Sequence, residues 1–118
     1  MQPEERDAAF LWDMLQSARD ASAIATGLTQ QQLQRDRVRM LALERSMELI
    51  GEAARRISSK FREKHAQIPW KEIIGLRNIL AHEYGRIDHA QLHATAVKDV
   101  PTLIAGLEEL LPPDEEAG

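Results

Sequence analysis

One short stretch of this 118-residue chain combines the side chains of an acid–base site with those of an anion-binding site. Residues 77–84 contain Arg77, Asn78, His82 and Tyr84. Histidine exchanges a proton near neutral pH, and the planar guanidinium group of arginine can bind two phosphate oxygens at once. These residue types, close together in sequence, favour chemistry on a phosphate ester.

The stretch has helical periodicity, so its side chains can be placed by a rotation of about 100° per residue. The rotation predicts a polar arc of roughly 180° that contains Arg77, Asn78, His82 and Tyr84 with the small residues Gly75 and Ala81. It predicts an opposite core face formed by Ile73, Leu76, Ile79 and Leu80. Arg77 and His82 are about 140° apart, so a compact site needs either the length of the arginine or a second helix across a two-fold axis. The alternative is a solvated arginine and a histidine that complements the helix dipole.

Metal-independent RNA cleavage fits these residues. In that reaction a ribose 2′-hydroxyl attacks its own 3′-phosphate, which requires a proton acceptor, a proton donor and a cation. His82 can serve as acid or base, and Arg77 can hold the phosphate oxygens. Asn78, about 40° from His82 around the helix, can orient the phosphate or the imidazole. Lys71 and Arg86 are further candidates for contact with RNA phosphates.

Other chemistries find less support in the sequence. His89 and His93 have a spacing that suits metal ligands, but no third ligand is evident nearby, and we expect two surface histidines. The chain has no glycine-rich loop between a strand and a helix, and no paired carboxylates stand out as an acid–base couple. It has no cysteine, which excludes a thiolate nucleophile and a disulfide framework. We therefore predict neither a metal nor a cofactor.

Composition and charge place the chain among ordinary soluble domains, with 43% apolar and 29% charged residues. The net charge of −4 argues against general nucleic-acid affinity, but it is unevenly distributed. Residues 35–86, which include the polar stretch, contain 12 basic and 7 acidic side chains. A local positive field around a site is therefore compatible with the acidic total. No apolar run has membrane-spanning length and no signal peptide is evident, so we expect a cytoplasmic protein.

The remaining pattern predicts an all-α, up-and-down bundle of four to five helices, with no strand. Helices are expected over residues 4–25, 36–58 and 69–84, with Gly85 as the residue after the third. A last helix is expected from Asp88, kinked or restarted at Pro101. Short helical segments are expected after Thr29, with Gln32 in a capping box, and around Phe61. Residues 1–111 form a single predicted domain, and residues 112–118 a flexible acidic tail.

The long second helix has two features that bear on the site. Its apolar residues recur at steps of three and four, as in the seam of a bundle, and are Met40, Leu43, Met47, Ile50, Ala54 and Ile57. Gly51 is unfavourable in the middle of a helix, and a tight helix crossing would explain it. The next residue, Glu52, is either an exposed charge or a partner of the site, and the exposed charge is the favoured interpretation.

The pattern Arg77-x4-His82-x-Tyr84, with Asn78 directly after the arginine, resembles the signature of the HEPN superfamily. More narrowly, it resembles HepT, the toxin of HepT/MntA toxin–antitoxin pairs. The resemblance extends to the blocks at residues 49–54 and 68–78 and covers about residues 5–111. The bare Arg-x4-His spacing is a weak signal, but it becomes specific in combination with these blocks and Gly85.

The resemblance implies a homodimeric ribonuclease toxin with a composite site in a cleft between the two copies of the Arg77–His82 helix. It also implies that the hydroxyl of Tyr84 is adenylylated by an MntA-like nucleotidyltransferase antitoxin, which would fill the cleft with AMP. A non-catalytic alternative is a HEPN module that binds a nucleotide or docks a nucleotidyltransferase, like relatives that lack the motif. A third possibility is a plain dimeric bundle for protein interaction.

Overall fold

Seven α-helices and one 3-10 turn succeed one another in the computed structural model, which describes residues 4–112. Five helices have ten or more residues, and two have six. In chain order they are α1 (Glu5–Thr26), α2 (Gln30–Arg35), α3 (Arg37–Arg56), α4 (Ser59–Lys64), α5 (Trp70–His82), the turn Tyr84–Arg86, α6 (His89–Lys98) and α7 (Val100–Leu110). Residues 4–112 contain no β-strand. The predicted all-α class is therefore confirmed.

Side-chain caps mark the starts of several helices. Thr29 and Gln32 form the predicted capping box at the start of α2, with both reciprocal hydrogen bonds present. The carboxylate of Asp36 accepts a hydrogen bond from the backbone N–H of Arg39 and begins α3. The side chain of Asp88 caps α6 in the same way.

The predicted end of α5 is wrong, whereas the predicted restart of the last helix is confirmed. α5 ends at His82 rather than near Tyr84, with Glu83 as its C-cap. The chain then turns through a short 3-10 segment, and Gly85 does not have the left-handed conformation expected of a helix-terminating glycine. The last helix is two helices that meet at Asp99, with Pro101 in the first turn of α7, as a restart at this proline predicts.

The core lies mainly between α1 and α3, which pack extensively against each other. All six apolar seam residues of α3 are buried, as predicted. α1 contributes Leu11, Met14, Leu15, Ala18 and Ala21, each at most 1% exposed. On α6, Val97 is 39% exposed and does not belong to the core. The predicted tail falls outside the described residues, except for the exposed residue 112.

The two histidines of α6 are half-buried rather than free on the surface, which corrects the prediction. Nε2 of His89 lies 2.9 Å from a carboxylate oxygen of the buried Glu44 on α3. Nε2 of His93 lies 2.9 Å from the backbone carbonyl oxygen of Leu28. Each ring therefore joins α6 to another part of the fold, and neither side chain is poised as a metal ligand.

α5 packs mainly against α3 and runs antiparallel to it. The ring of Trp70 at its start contacts Phe61, which follows α3. Arg77, in the middle of α5, packs against Gly51 of α3. His89, which follows the end of α5, contacts Glu44 in the first half of α3. An apolar groove of about 700 Å³ remains between α3, α5 and α7. Among the helices described, none is long and apolar enough to cross a membrane.

Candidate active site

The buried face of α5 is centred on Arg77, which corrects the predicted rotation of this helix. At about 100° per residue, this face extends to about 60° on either side of Arg77. Its buried or half-buried residues are Trp70, Ile73, Ile74, Leu80 and Ala81. Of the four predicted core residues, Ile73 and Leu80 lie on this face, whereas the half-buried Leu76 and Ile79 lie about 100° and 160° from Arg77. The solvent-facing side contains Lys71, Glu72, Gly75, Asn78 and His82. The predicted polar arc is therefore divided between the two sides.

A close approach of α3 and α5 makes room for the arginine. A Cβ added to Gly51 would lie 2.2 Å from the Cβ of Arg77 and 2.8 Å from the backbone oxygen of Ile73. Any side chain at position 51 would collide with both atoms. The tight crossing predicted from Gly51 is confirmed, and it presses the stem of Arg77 against α3.

The guanidinium group of Arg77 is held on two sides. Nη2 lies 2.9 Å from Oε2 of Glu52, and Nη1 donates a hydrogen bond of 3.0 Å to Oδ1 of Asn78. Only 17% of the Arg77 side chain is exposed. Its Nε is buried and has no hydrogen-bond partner among the described residues. The cation is therefore fixed in orientation while part of its donor capacity is unused.

Glu52 is the centre of an arginine cluster, and its interpretation as a plain exposed charge is wrong. Besides Arg77, its carboxylate accepts two hydrogen bonds of 3.0 Å from Arg55 and one of 3.2 Å from Arg56. The hydrogen bond from Arg55 lowers the pKa of Glu52 to about 2, with further contributions from the charges of Arg55 and Arg77. Three guanidinium groups around one carboxylate leave a local charge of +2.

The signal for this cluster is present in the sequence. Arg55 and Arg56 are three and four residues after Glu52, which is the spacing of helical ion pairs. Glu52 also follows the glycine that marks the helix crossing. A tight crossing at Gly51 therefore places the neighbouring carboxylate beside the partner helix, where an arginine can reach it.

His82 is the last residue of α5 and is exposed. It lies about 7.5 Å from Arg77 along the helix axis and about 140° around it. The imidazole therefore points to the solvent-facing side of α5, whereas the stem of Arg77 points to α3. The structure brings Asn78 to Arg77 directly, but it does not bring His82 into the same cluster.

The other predicted site residues are more peripheral. Lys71 is exposed in the first turn of α5, about 9 Å from Arg77 along the axis. Arg86 is exposed and forms an ion pair of 2.7 Å with Glu83. The backbone of Tyr84 begins the 3-10 turn after α5. The prediction for its hydroxyl concerns a side chain outside the described part of the structure.

The described residues contain no group of three or more His, Asp or Glu side chains that could hold a metal ion. The chemistry available from the side chains is that of an oriented cation, a neighbouring amide and an exposed imidazole. An arginine fixed between a carboxylate and an amide can bind and polarise an anionic oxygen, and an imidazole can transfer a proton to or from it.

Comparison with known proteins adds an independent result. Residues 14–110 match the family model described as "Ribonuclease HepT-like". The Methanocaldococcus jannaschii protein named "Putative RNase MJ1380" is 41% identical over 95 residues, covering 80% of this chain and 87% of the relative. "Putative RNase TTE0752" of Caldanaerobacter subterraneus is 35% identical over 102 residues, covering 86% and 91%. "Probable ribonuclease HepT" of Thermococcus cleftensis is 36% identical over 75 residues, covering 64% and 68%. No solved structure matches the chain.

Proposed function

The chain belongs to the ribonuclease HepT-like family, and we propose that it is a ribonuclease toxin that cleaves RNA without a metal ion. The observation that carries this proposal is the fixed guanidinium group of Arg77, five residues before an exposed histidine on the same helix. An arginine held in one orientation by a carboxylate and an amide is suited to bind a phosphate through its planar fork.

Arg77 binds the scissile phosphate in this proposal. Cleavage places additional negative charge on the phosphate oxygens in the transition state, and a pre-oriented cation stabilises that charge without reorganising. Asn78 holds one edge of the guanidinium group through its side-chain oxygen, and its amide N–H₂ remains able to donate to the phosphate. Glu52 acts through Arg77 as a positioning residue, because it contacts the arginine rather than the substrate.

His82 transfers the protons. The 2′-oxygen of the ribose loses its proton to a base and attacks the neighbouring phosphorus, and the bond from phosphorus to the 5′-oxygen breaks. That oxygen takes a proton from an acid, which leaves a 2′,3′-cyclic phosphate and a 5′-hydroxyl. Neutral and protonated imidazoles suit these two roles near neutral pH.

A homodimer completes the site in this proposal. His82 and the stem of Arg77 lie on opposite sides of α5. The two side chains of one protomer are therefore badly placed to contact the same phosphate. A second copy of the solvent-facing side of α5, related by a two-fold axis, would add an imidazole across the cleft. Two imidazoles also supply the acid and the base that cleavage requires. Lys71 and Arg86 then contact RNA phosphates beyond the scissile one.

Regulation by a partner enzyme completes the proposal. Tyr84 follows the site by two residues, and an MntA-like nucleotidyltransferase antitoxin adenylylates its hydroxyl. An AMP group there adds a phosphate that competes with RNA for the cationic site and a nucleoside that blocks entry. Toxin and antitoxin act together in the cytoplasm, where the RNA substrate is found.

The test is RNA cleavage by purified, unmodified protein. Arg77→Ala and His82→Ala are each expected to lower the rate at least about 100-fold, which is typical for the loss of a charge-stabilising or proton-transferring group. Arg77→Lys keeps the charge but loses the planar fork, and should recover little activity. Arg39→Ala removes an exposed arginine near the start of α3 and is the matched control. Circular dichroism confirms that each variant is folded.

Two outcomes would overturn the proposal. Wild-type protein that leaves RNA intact excludes the ribonuclease activity. Folded Arg77→Ala and His82→Ala variants that cleave at the rate of Arg39→Ala exclude this site.

A second candidate function is non-catalytic docking onto a nucleotidyltransferase. The observation that favours it is the apolar groove between α3, α5 and α7, whose lining includes Ile50, Ile68, Ile73 and Leu103. In that case the protein binds the transferase equally well with or without Arg77 and His82, and does not cleave RNA. Co-purification of the double variant with the transferase, together with the cleavage assay, separates the two candidates.

A further inference from the structure

A second cleft lies on the other side of Glu52 from Arg77, between α1 and α3. It has a volume of about 290 Å³. Its α1 wall contains Phe10, Asp13 and Ser17, and its α3 wall contains Leu49, Ala53 and Arg56. Glu52 lines the cleft and also pairs with Arg77. The cleft and the candidate active site therefore share a residue and lie on one continuous surface.

We propose that this cleft binds the base of a nucleotide next to the scissile phosphate of a single-stranded RNA. The proposal rests on the proposed function for the identity of its ligand. It assigns the base to the cleft, the phosphate of that nucleotide to Arg55 and Arg56 at the mouth, and the scissile phosphate to Arg77. The RNA strand then runs from α5 across the end of α3 to α1.

The charges decide which part of the nucleotide enters the cleft. Arg55 and Arg56 are exposed and share Glu52 with Arg77, so their combined charge remains positive after pairing. Asp13 on the α1 wall is exposed and repels a phosphate, but its carboxylate can accept hydrogen bonds from the amino group of a base. The phosphate therefore belongs outside and the base inside.

The aromatic ring of Phe10 in the α1 wall adds a stacking surface. Phe10 is half-buried, and the guanidinium carbons of Arg6 and Arg56 lie 5.9 and 6.0 Å from the centre of its ring. Aromatic rings interleaved with arginines are characteristic of surfaces that bind single-stranded nucleic acid, where bases stack on the rings and arginines follow the phosphates. Leu49 and Ala53 provide apolar contacts for the other face of a base.

The size of the cleft agrees with a single base. Small-molecule sites commonly have volumes from about 300 to 1,000 Å³, and this cleft lies at the lower limit. It cannot contain a helix or strand of a partner protein. A single-stranded RNA, in contrast, can turn one base out of its stack and insert it.

The experiment measures RNA binding separately from cleavage. The full chain with His82→Ala is titrated against a fluorescently labelled single-stranded RNA of about ten nucleotides. Adding Phe10→Leu, which preserves apolar packing but removes the ring, is expected to weaken binding about tenfold. Phe10→Tyr retains the ring and should bind like the parent. Arg56→Gln should weaken binding and reduce the dependence of log Kd on log salt concentration by about one unit.

Arg39→Gln is the matched control, since it removes an equivalent exposed charge from the opposite end of α3. Asp13→Asn is expected to change the order of affinities among homopolymeric RNAs of the four bases. The cleft assignment is overturned if Phe10→Leu and Arg56→Gln both bind like Arg39→Gln, or if the parent binds no single-stranded RNA. If Phe10→Leu unfolds, Arg56→Gln and Asp13→Asn decide the question.

The experiments distinguish an error in the cleft assignment from an error in the ribonuclease proposal. If the wild type cleaves RNA but Phe10→Leu and Arg56→Gln bind RNA like Arg39→Gln, only the cleft assignment is overturned. The expected binding pattern without any cleavage by the wild type supports the cleft and overturns the nuclease activity.

Discussion

Gly51 and Arg77 face each other at the closest approach of α3 and α5, where a Cβ on the glycine would lie 2.2 Å from the Cβ of the arginine. This contact explains why a residue that weakens a helix occupies the middle of α3. It also explains why the guanidinium group of Arg77 reaches Glu52, the next residue of α3, rather than extending into solvent.

Replacement of Gly51 by alanine should destabilise the protein although alanine favours helices by about 1 kcal/mol. The collision involves a Cβ and a backbone oxygen, so α5 has to shift, and overpacking of this kind costs typically about 1–3 kcal/mol. Urea unfolding measures the change. Gly106→Ala on α7, whose nearest heavy atom would be 4.0 Å away, is the control and should be neutral or stabilising. Equal effects of the two substitutions would contradict the crossing.

Protonation of Glu52 should lower the free energy of unfolding as the pH falls from 4.5 towards 2. Its pKa is lowered from 4.5 to about 2 in the folded protein, so its ion pairs stabilise the fold fully above pH 4.5. This stabilisation is lost as the pH falls from 4.5 towards 2. We expect the difference in unfolding free energy between wild type and Glu52→Gln to be roughly 1 kcal/mol at neutral pH, because solvent screens the half-exposed arginines. A difference that does not shrink below pH 4.5 would contradict this role.

Chelation should not affect cleavage. The proposed reaction uses an arginine and imidazoles, and the described residues provide no cluster of metal ligands. We expect equal rates of RNA cleavage with and without excess EDTA after dialysis against chelator. A metal-dependent nuclease on the same RNA is the control and should stop. Loss of activity that added Mg²⁺ or Mn²⁺ restores would require a different mechanism.

Tyr84→Phe should escape modification while remaining folded. In the proposed reaction the Tyr84 hydroxyl attacks the α-phosphate of ATP, pyrophosphate leaves, and the hydroxyl proton passes to a base of the transferase. Intact-mass measurement after incubation with transferase and ATP should show added AMP on the wild type only. A sample without transferase is the control. Equal mass gains on both proteins would exclude Tyr84 as the acceptor.

The proposed dimer is tested at Gly75. Gly75 and Ala81 share the predicted polar arc, but Ala81 is half-buried on the α3-facing side of α5, whereas Gly75 is exposed with open space around it. We expect the wild type to sediment as a dimer at micromolar concentration, and Gly75→Leu to dissociate it and impair cleavage.

Val38→Ser on α3 is the control for this prediction, because Val38 is 77% exposed and lies on another helix. Dissociation by Val38→Ser and not by Gly75→Leu would place the interface on α3. A monomeric wild type would overturn the composite site.

Helix positions and the main core were predictable because local features determine them. The capping box at Thr29 and Gln32, and the apolar seam of α3, involve residues close together in sequence. The crossing at Gly51 was predictable for a similar reason, since a glycine in the middle of a long helix requires an explanation.

The rotation of α5 was not predictable from its own residues. Its pattern permits more than one buried face, because isoleucine and leucine are spread over about 220° of its circumference. Which face is buried depends on α3, where Gly51 leaves room for the stem of Arg77. It also depends on Trp70, whose Nε1 donates a hydrogen bond to the backbone oxygen of His65. The same dependence explains why the sequence alone favours an exposed charge at Glu52, because its partner Arg77 is 25 positions away in sequence.

The acidity of Glu52 has a consequence for how the proposed enzyme responds to its surroundings. A carboxylate with a pKa of about 2 keeps its charge throughout the physiological range, so the net charge of the arginine cluster is constant there. Capture of the RNA by this cluster is therefore governed by ionic strength rather than by acidity. Acidification of the cell would leave substrate retention intact, whereas a rise in salt would release the RNA.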